Sequence, residues 1–262
     1  MVDGNELKEM VKEKYTEIAV ASDKKSCCGS DIESGYEILK DEYSNLVGYV
    51  KEADLKLGCG VPTELAEIKA GDTLVDLGSG AGNDVFIARA IVGEQGKVIG
   101  LDFTEEMIKK AIKNNEKLGY HNIEFKLGEI ENMPLDNEVA DVVISNCVLN
   151  LVPDKSKAFE EIYRILKTGA HFCVSDIVLK GNMNEEFKKS ASLYAGCVSG
   201  AIDQDEYLNI IKQAGFKDIE IKRIQSTPLP DSLLEEHFSS EEILSFRNNV
   251  KGMFSITISG KK

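Results

Sequence analysis

The stretch Asp76-Leu77-Gly78-Ser79-Gly80-Ala81-Gly82 constrains this chain more than any other. Ahead of it, Thr73-Leu74-Val75 is a short apolar run of the kind that forms a buried strand. Behind it, residues 83–92 place Val85, Phe86, Ala88, Ala90 and Ile91 at helical spacing. The order is therefore strand, glycine-rich turn, helix. Glycine lets the turn be tight and lets a ligand approach bare backbone. The helix start adds unpaired N–H groups. Further on, Val98-Ile99-Gly100-Leu101-Asp102 reads as a second strand that ends in an acid. In an open α/β sheet an acid at that place is set to hold ribose hydroxyls.

The glycine spacing is GxGxG, tighter than the GxGxxG of dinucleotide sites, and an acid stands two residues before the first glycine. This pattern resembles the class I S-adenosylmethionine (SAM)-dependent methyltransferases. The resemblance implies a Rossmann-like, doubly wound α/β sheet. It implies that Asp76, Gly78, Ser79 and Gly80 hold the methionine part of SAM and that Asp102 holds the ribose. It extends the cofactor set to Phe103, Met107 and Asn146. After the third strand, expected at 123–127, comes Gly128-Glu129-Ile130-Glu131. The family's adenine loop lies there, so Glu129 and Ile130 are implied to read the adenine edge.

The 262 residues suffice for one large domain or one with a smaller companion. With 31 basic and 45 acidic residues the formal net charge is −14. Such a surface repels phosphate backbones and anionic bilayers, so neither nucleic acid nor membrane is an expected partner. No apolar run is long enough for a bilayer span, and residues 1–14 lack the apolar stretch of a secretion signal. A cytoplasmic monomer is the expectation. In that compartment six cysteines point to thiol or metal chemistry rather than to structural disulfides.

Leu7, Met10, Val11, Lys14 and Ile18 lie near one face of an amphipathic helix over the first twenty or so residues. Residues 21–32, with Cys27 and Cys28 at their centre, read as a loop. A weaker helical pattern covers 38–50. Cys59 sits between Gly58 and Gly60, ahead of Pro62, which places its thiol on a turn rather than in a core. A short helix is expected at 63–68. Thr104 is placed as the N-cap of the next helix, with Met107, Ile108, Ala111, Ile112 and Leu118 on its buried face and Gly119 as its stop. A fourth strand is expected at 141–145, followed by Asn146 and Cys147. Its carboxyl end borders the switch point, where an acceptor would meet the cofactor. A helix is expected at 155–166 with Gly169 as its stop, then a fifth strand at 171–178 with Cys173 as core filler. Helices at 185–194 and 203–214 flank Cys197. Strands are expected at 217–223 and 254–258. His121, His171 and His237 have no partners at ligand spacing and read as structural. The division is an N-terminal helical extension with its cysteine loop over 1–56, a SAM-binding Rossmann-like domain over 57–180, and a small α+β substrate-side subdomain over 181–262.

Cys59, Cys147 and Cys197 each lie in a loop or at a strand end, and three convergent thiols suit a soft ion or metalloid. The strings LGCGVPT, SNCVLNLVPDK and AGCVSGAI, with the earlier CCG, resemble the arsenite methyltransferase family. Val61 departs from the Asn expected in that family's GCGNP string. The resemblance implies arsenite and methylarsenite as substrates, with As(III) held by Cys59, Cys147 and Cys197. It implies a redox role for Cys27 or Cys28, served by an external thiol reductant, thioredoxin or glutathione. Two other readings fit the same core: a methyltransferase for a small quinone-like acceptor, and a non-enzymatic thiolate site for Zn²⁺ or arsenite.

Overall fold

The computed structural model describes residues 4–24, 43–182, 200–229, 234–235 and 238–262. Their elements run α1 (Gly4–Lys24), α2 (Pro62–Leu65), β1 (Thr73–Leu77), α3 (Asn83–Val92), β2 (Lys97–Asp102), α4 (Glu105–Leu118), β3 (Ile123–Leu127) and β4 (Ala140–Asn146). A short 3-10 turn (Leu149–Leu151) leads to α5 (Lys155–Ile165) and β5 (Leu166–Gly181). The chain then builds α6 (Gln204–Gln213), β6 (Lys217–Ser226), α7 (Ser240–Asn249) and β7 (Val250–Lys261). Among the described residues the strands form one sheet in the order β3-β2-β1-β4-β5-β7-β6. β1 to β5 pair in parallel, and β7 runs antiparallel between β5 and β6. This is the class I, Rossmann-like methyltransferase architecture expected from the glycine motif.

β1 lies at the centre because Leu74, Val75 and Leu77 are covered on both faces, as a parallel strand requires. The order reverses between β1 and β4, which opens the switch-point crevice beyond their carboxyl ends. There the chain turns sharply. Gly78 and Ser79 donate their N–H groups to the Leu101 carbonyl at 2.7 and 2.9 Å, which folds the turn over β2. Gly78 has φ +73, and a Cβ there would come within 2.4 Å of Val148.

Several elements differ from the sequence expectations for local reasons. α3 buries Val85, Phe86, Ile87, Ala88 and Val92 but leaves Ile91 exposed, so its inward stripe is rotated by about one residue. On α4, Met107, Ile108 and Ala111 face inward, while Ile112 and Leu118 are exposed. Thr104 holds the N-cap position of α4 without capping by its side chain; Asp102 Oδ1 accepts the Thr104 N–H at 2.9 Å instead. Gly169 does not end α5. The chain passes directly from α5 into β5, and Gly169 bends that strand at φ +81. Residues 43–50 form successive turns rather than a helix, with Leu46 N–H donating to Tyr43 O and Tyr49 N–H to Leu46 O. α2 is shorter than expected, and the helix foreseen at 185–194 lies outside the described residues, as does His237. α7 was not foreseen, although Ser239 and Glu242 make a complete capping box at its start. His171 is structural: its Nε2–H donates to the Ala66 carbonyl at 2.6 Å. No helix among the described residues is long and apolar enough to cross a membrane.

The residues placed in a C-terminal unit from 181 onward contribute β6 and β7 to the same sheet as β1. Phe172 on β5 meets Phe159 of α5 and Phe216, just before β6, edge to face at 5.7 and 4.7 Å. One core therefore runs from the central helices to the last strands. Replacing Phe172 with Leu removes two aromatic contacts worth about 0.5–1.5 kcal/mol each. The expected outcome is a single calorimetric unfolding transition moved to lower temperature. Two separate transitions, with only one displaced, would show that the C-terminal strands fold on their own.

Candidate functional site

The crevice at the carboxyl ends of β1, β2 and β4 is lined by Asp76, Gly78, Ser79, Gly80, Asp102, Phe103, Met107, Glu129, Ile130, Asn146 and Cys147. The structure thus brings every residue expected to meet a cofactor, together with one of the expected thiols, to a single cavity. Asp102 is buried, with Oδ2 accepting from Gly80 N–H and Oδ1 from Thr104 N–H, both at 2.9 Å. Each carboxylate oxygen retains a lone pair, so the group is held still and can still accept from two hydroxyls. Burial raises its pKa, and the two backbone donors oppose that rise.

The crevice is rich in negative charge. Asp76 is pushed well above the usual carboxylate range by burial first, then by the charges of Asp84 and Asp102. Asp84, which sequence reasoning passed over, lines the same cavity, and burial lifts it to about 6. Three buried atoms here have no hydrogen-bond partner: Ser79 Oγ, Asn83 Oδ1 and Asp84 Oδ1. Orphaned buried polar atoms are costly unless a ligand completes them. The set is mostly acceptors, and all three acids carry pKa values raised first by burial. It fits a ligand that brings positive charge and N–H or O–H donors.

The loop after β3 is held from above. Lys8 of α1 pairs with Glu129 at 2.6 Å and also with Glu131. Val11 and Tyr15 of the same helix line the cavity. α1 therefore covers this end of the crevice, a role invisible in a helix whose sequence shows only amphipathicity.

At the other end stand the thiols. Cys147 follows β4 with φ +58, a left-handed backbone rare for a residue with a side chain, and its N–H donates to Ser175 O at 2.8 Å. Cys59 lies on a turn, as expected, but not in the open. It is buried and packs in an apolar cluster with Cys147, Leu151 and Ile177. The flanking glycines explain how. A Cβ on Gly58 would lie 2.7 Å from Asn146 Nδ2, and one on Gly60 would lie 2.4 Å from Ser175 Oγ. The turn is pressed so close to β4 and β5 that only glycine fits on either side of the cysteine. Ser255 adds a hydrogen bond to the Cys59 carbonyl.

Asn146 fastens this turn. Its Oδ1 accepts the Cys59 N–H at 3.0 Å, and its Nδ2 lies 2.8 Å from Gly60 O and 3.2 Å from Asp84 Oδ2, and contacts Tyr43 Oη. Its amide is spent on protein groups, so it lines the cavity as a clasp rather than as an open donor. Tyr43 joins the clasp by donating to Gly60 O at 2.8 Å.

The thiols of Cys59 and Cys147 and a carboxylate oxygen of Asp176 lie within 4.8 Å of one another, all three buried. Asp176 was not foreseen. Burial raises it to about 7, opposed by Lys155 and by a 3.1 Å hydrogen bond from Tyr207. A lone carboxylate inside the apolar run of β5 was the available signal, because buried acids are rare without a task. Cys173 is buried on the same strand with its thiol pushed up to about 12 by burial, the condition of an inert core cysteine. Cys27, Cys28 and Cys197 lie outside the described residues.

The family profile described as "Methyltransferase domain" matches residues 68–215. An arsenite methyltransferase of Halobacterium salinarum is 40% identical over 232 residues, covering 84% of this chain and 59% of that protein. One from Aquipseudomonas alcaligenes is 32% identical, covering 72% of this chain and 56% of that protein. The crystal structure of an arsenic(III) S-adenosylmethionine methyltransferase from Chlamydomonas reinhardtii superposes with a TM-score of 0.66 at 31% identity, covering 78% of this chain and 67% of that one. The chain spans a little over half the length of these two curated relatives.

The close seat of the turn gives a test that needs no activity. Gly60→Ala forces its Cβ against Ser175. Overpacking of this kind costs about 1–3 kcal/mol. The variant should melt at a lower temperature and capture a trivalent phenylarsenical, which needs two sulfurs at once, more slowly than the parent. Unchanged melting and unchanged capture would show that the turn has room to spare.

Proposed function

We propose that this chain, which belongs to the methyltransferase-domain family and within it to the arsenite methyltransferases, moves a methyl group from SAM to trivalent arsenic held on cysteine sulfur. One observation carries the reading. Two buried thiols, Cys59 and Cys147, converge within 4.8 Å, and Cys147 lines the crevice that the glycine motif opens. A methyltransferase for an organic acceptor has no use for such a pair, and a thiolate storage site has no use for the crevice.

The acids of the crevice suit SAM, which carries a sulfonium and an α-ammonium. In this reading Asp76, Gly78, Ser79 and Gly80 receive the methionine part, Asp102 the ribose, and Glu129 and Ile130 the adenine edge, with Phe103 and Met107 on the walls. Arsenite enters by exchanging hydroxyls for Cys59 and Cys147 sulfur, with release of water, so the thiols supply the protons. Cys197 is assigned as the third sulfur, and residues 181–262 as the part of the chain that brings it. Residues 1–56 are assigned as the cover, carrying Cys27 and Cys28 for the redox step with thioredoxin or glutathione. The arsenic lone pair is then aimed at the methyl carbon. Alignment of two bound reactants supplies about 7–11 kcal/mol of such a barrier. A cytoplasmic setting, where thiols stay reduced, suits this chemistry.

SAM binding should strengthen as pH rises. The sign follows from Asp84: burial has lifted its folded pKa above that of the unfolded chain, to about 6. The apo fold therefore favours the protonated acid, and that stabilisation disappears as pH rises through 6. A bound cation reverses the preference. Calorimetry should show SAM affinity about tenfold weaker at pH 5 than at pH 7, with a larger SAM-induced rise in melting temperature at pH 7.5 than at pH 5. Asp84→Asn should flatten both profiles. An equally steep profile in that variant would take the effect away from Asp84.

Cysteine variants test the acceptor. The second sulfur bond to arsenic benefits from an effective concentration worth about 10²–10⁴. Cys147→Ser and Cys59→Ser should each lower methylation of arsenite by at least about 100-fold while SAM binding persists. Cys173→Ser should methylate at the parental rate. Formation of methylated arsenic at parental rates by folded Cys147→Ser would end the thiolate reading.

A further inference from the structure

We propose that Asp176 is the counter-charge for the arsenic atom as methyl transfer makes it cationic. The inference rests on the arsenic reading above and adds to it a residue that the thiol chemistry does not itself require.

The argument is one of charge balance. Before transfer, the positive charge sits on the sulfonium sulfur, and the arsenic bound to sulfur is neutral. The arsenic lone pair forms the As–C bond. The C–S bond of the sulfonium breaks, and its electron pair stays on sulfur. The donor product is neutral and the methylated arsenic carries the positive charge until electrons from thiols return it to the trivalent state. A site that speeds the step must therefore hold a negative group where charge develops, not only where it starts.

The starting position is already supplied, since Asp76, Asp84 and Asp102 all line the crevice. These acids hold the charge back unless something on the far side draws it. Asp176 is the carboxylate that groups with the two thiols, its oxygen within 4.8 Å of both sulfurs. An atom bonded to Cys59 and Cys147 sulfur occupies the same small buried triangle. Asp176 sits on β5 and does not line the SAM crevice, so it addresses the acceptor side alone.

Its surroundings keep it in place. Tyr207 donates to Oδ2 at 3.1 Å, the Ile177 N–H donates to Oδ1 at 3.1 Å, and the nearby charge of Lys155 favours the carboxylate. Lys155 is itself buried and fixed by the carbonyls of Asn150 and Val152 at 3.3 and 3.2 Å. Held by these contacts, the carboxylate stands beside the two sulfurs where the arsenic becomes cationic, and its contribution is electrostatic.

The test is a single-turnover experiment on the full chain. Protein loaded with arsenite is mixed with SAM, and S-adenosylhomocysteine is quantified against time. Asp176→Asn keeps the shape and removes the charge. It should bind arsenite and SAM within about twofold of the parent and transfer the methyl group about 100-fold more slowly, the usual scale for losing one charge-stabilising group. Asp176→Glu should recover part of the rate. An Asn variant that transfers at the parental rate overturns the inference, as does one that slows only because arsenite binding is lost. If Asp176→Asn does not fold, Tyr207→Phe should slow transfer severalfold with both affinities intact, and an unchanged rate there also overturns it. A parent protein that forms no methylated arsenic would instead overturn the arsenic reading, which keeps the two failures apart.

Discussion

The side-chain amide of Asn146 is the joint on which the site depends. It stands at the end of β4, beside the switch point, and binds both polar groups of the Cys59 turn while touching Asp84 and Tyr43 of the cofactor side. No backbone hydrogen bond of the sheet could do this, because the turn before α2 and the start of α3 belong to different crossovers. An amide offers an acceptor and donors in one plane, so one residue can face a backbone N–H and a carbonyl together. The sulfur of Cys59 is placed because its own N–H and the next residue's carbonyl are both held. The acids of the crevice are tied to the same point. The thiol end and the cofactor end therefore share one rigid element.

This coupling explains an otherwise expensive arrangement. Three carboxylates around one crevice and a fourth beside two thiols are all buried, and burial alone disfavours each charge. A fold that needed only stability would replace them. In the proposed reaction the ligand is cationic and its charge moves from one group of acids toward the other, so the cost in the apo protein and the gain in the loaded one come from the same side chains. Sites are the places where stability and function conflict in this way.

What could be read from the sequence is what is local. The glycine turn, Asp102 and the loop at Glu129 each sit within a few residues of the strand that positions them, so spacing marked the first two and the family resemblance pointed to the third. Asp84 stood two residues past Gly82, legible as an acid at a helix start and yet indistinguishable from an ordinary dipole-favoured residue. Asp176, Tyr43 and Lys8 reach the site from β5, from the turns after residue 42 and from α1, and no spacing rule connects such distant segments. The pairing of β7 between β5 and β6 was hidden for a related reason. Antiparallel insertion of the last strand depends on contacts across the whole chain, while the sequence shows only alternation at 254–258. α7 was a different kind of miss, because the Ser239 and Glu242 capping box is a local signal that the polar pattern around it obscured.

Cys147 shows how the fold turns a strand-end side chain out of the sheet's alternation. A residue continuing β4 in extended geometry would point its side chain along the alternation of the strand, to one face of the sheet. At φ +58 the backbone leaves that alternation, while the N–H still bonds Ser175 O as though the ladder continued by one more rung. The hydrogen bond extends the register in which Asn146 stands opposite Ser175, and Asp176 is the next residue of β5. The thiol lies within 4.8 Å of the Asp176 carboxylate and of the Cys59 thiol in the turn above. Left-handed backbone at a cysteine costs about 1–3 kcal/mol. Packing against Leu151, Ile177 and Cys59 over-determines the position enough to hold it. Strain at one residue, close glycine contacts at two and one amide clasp are thus sufficient to assemble a two-sulfur, one-carboxylate site from three separate strands and turns.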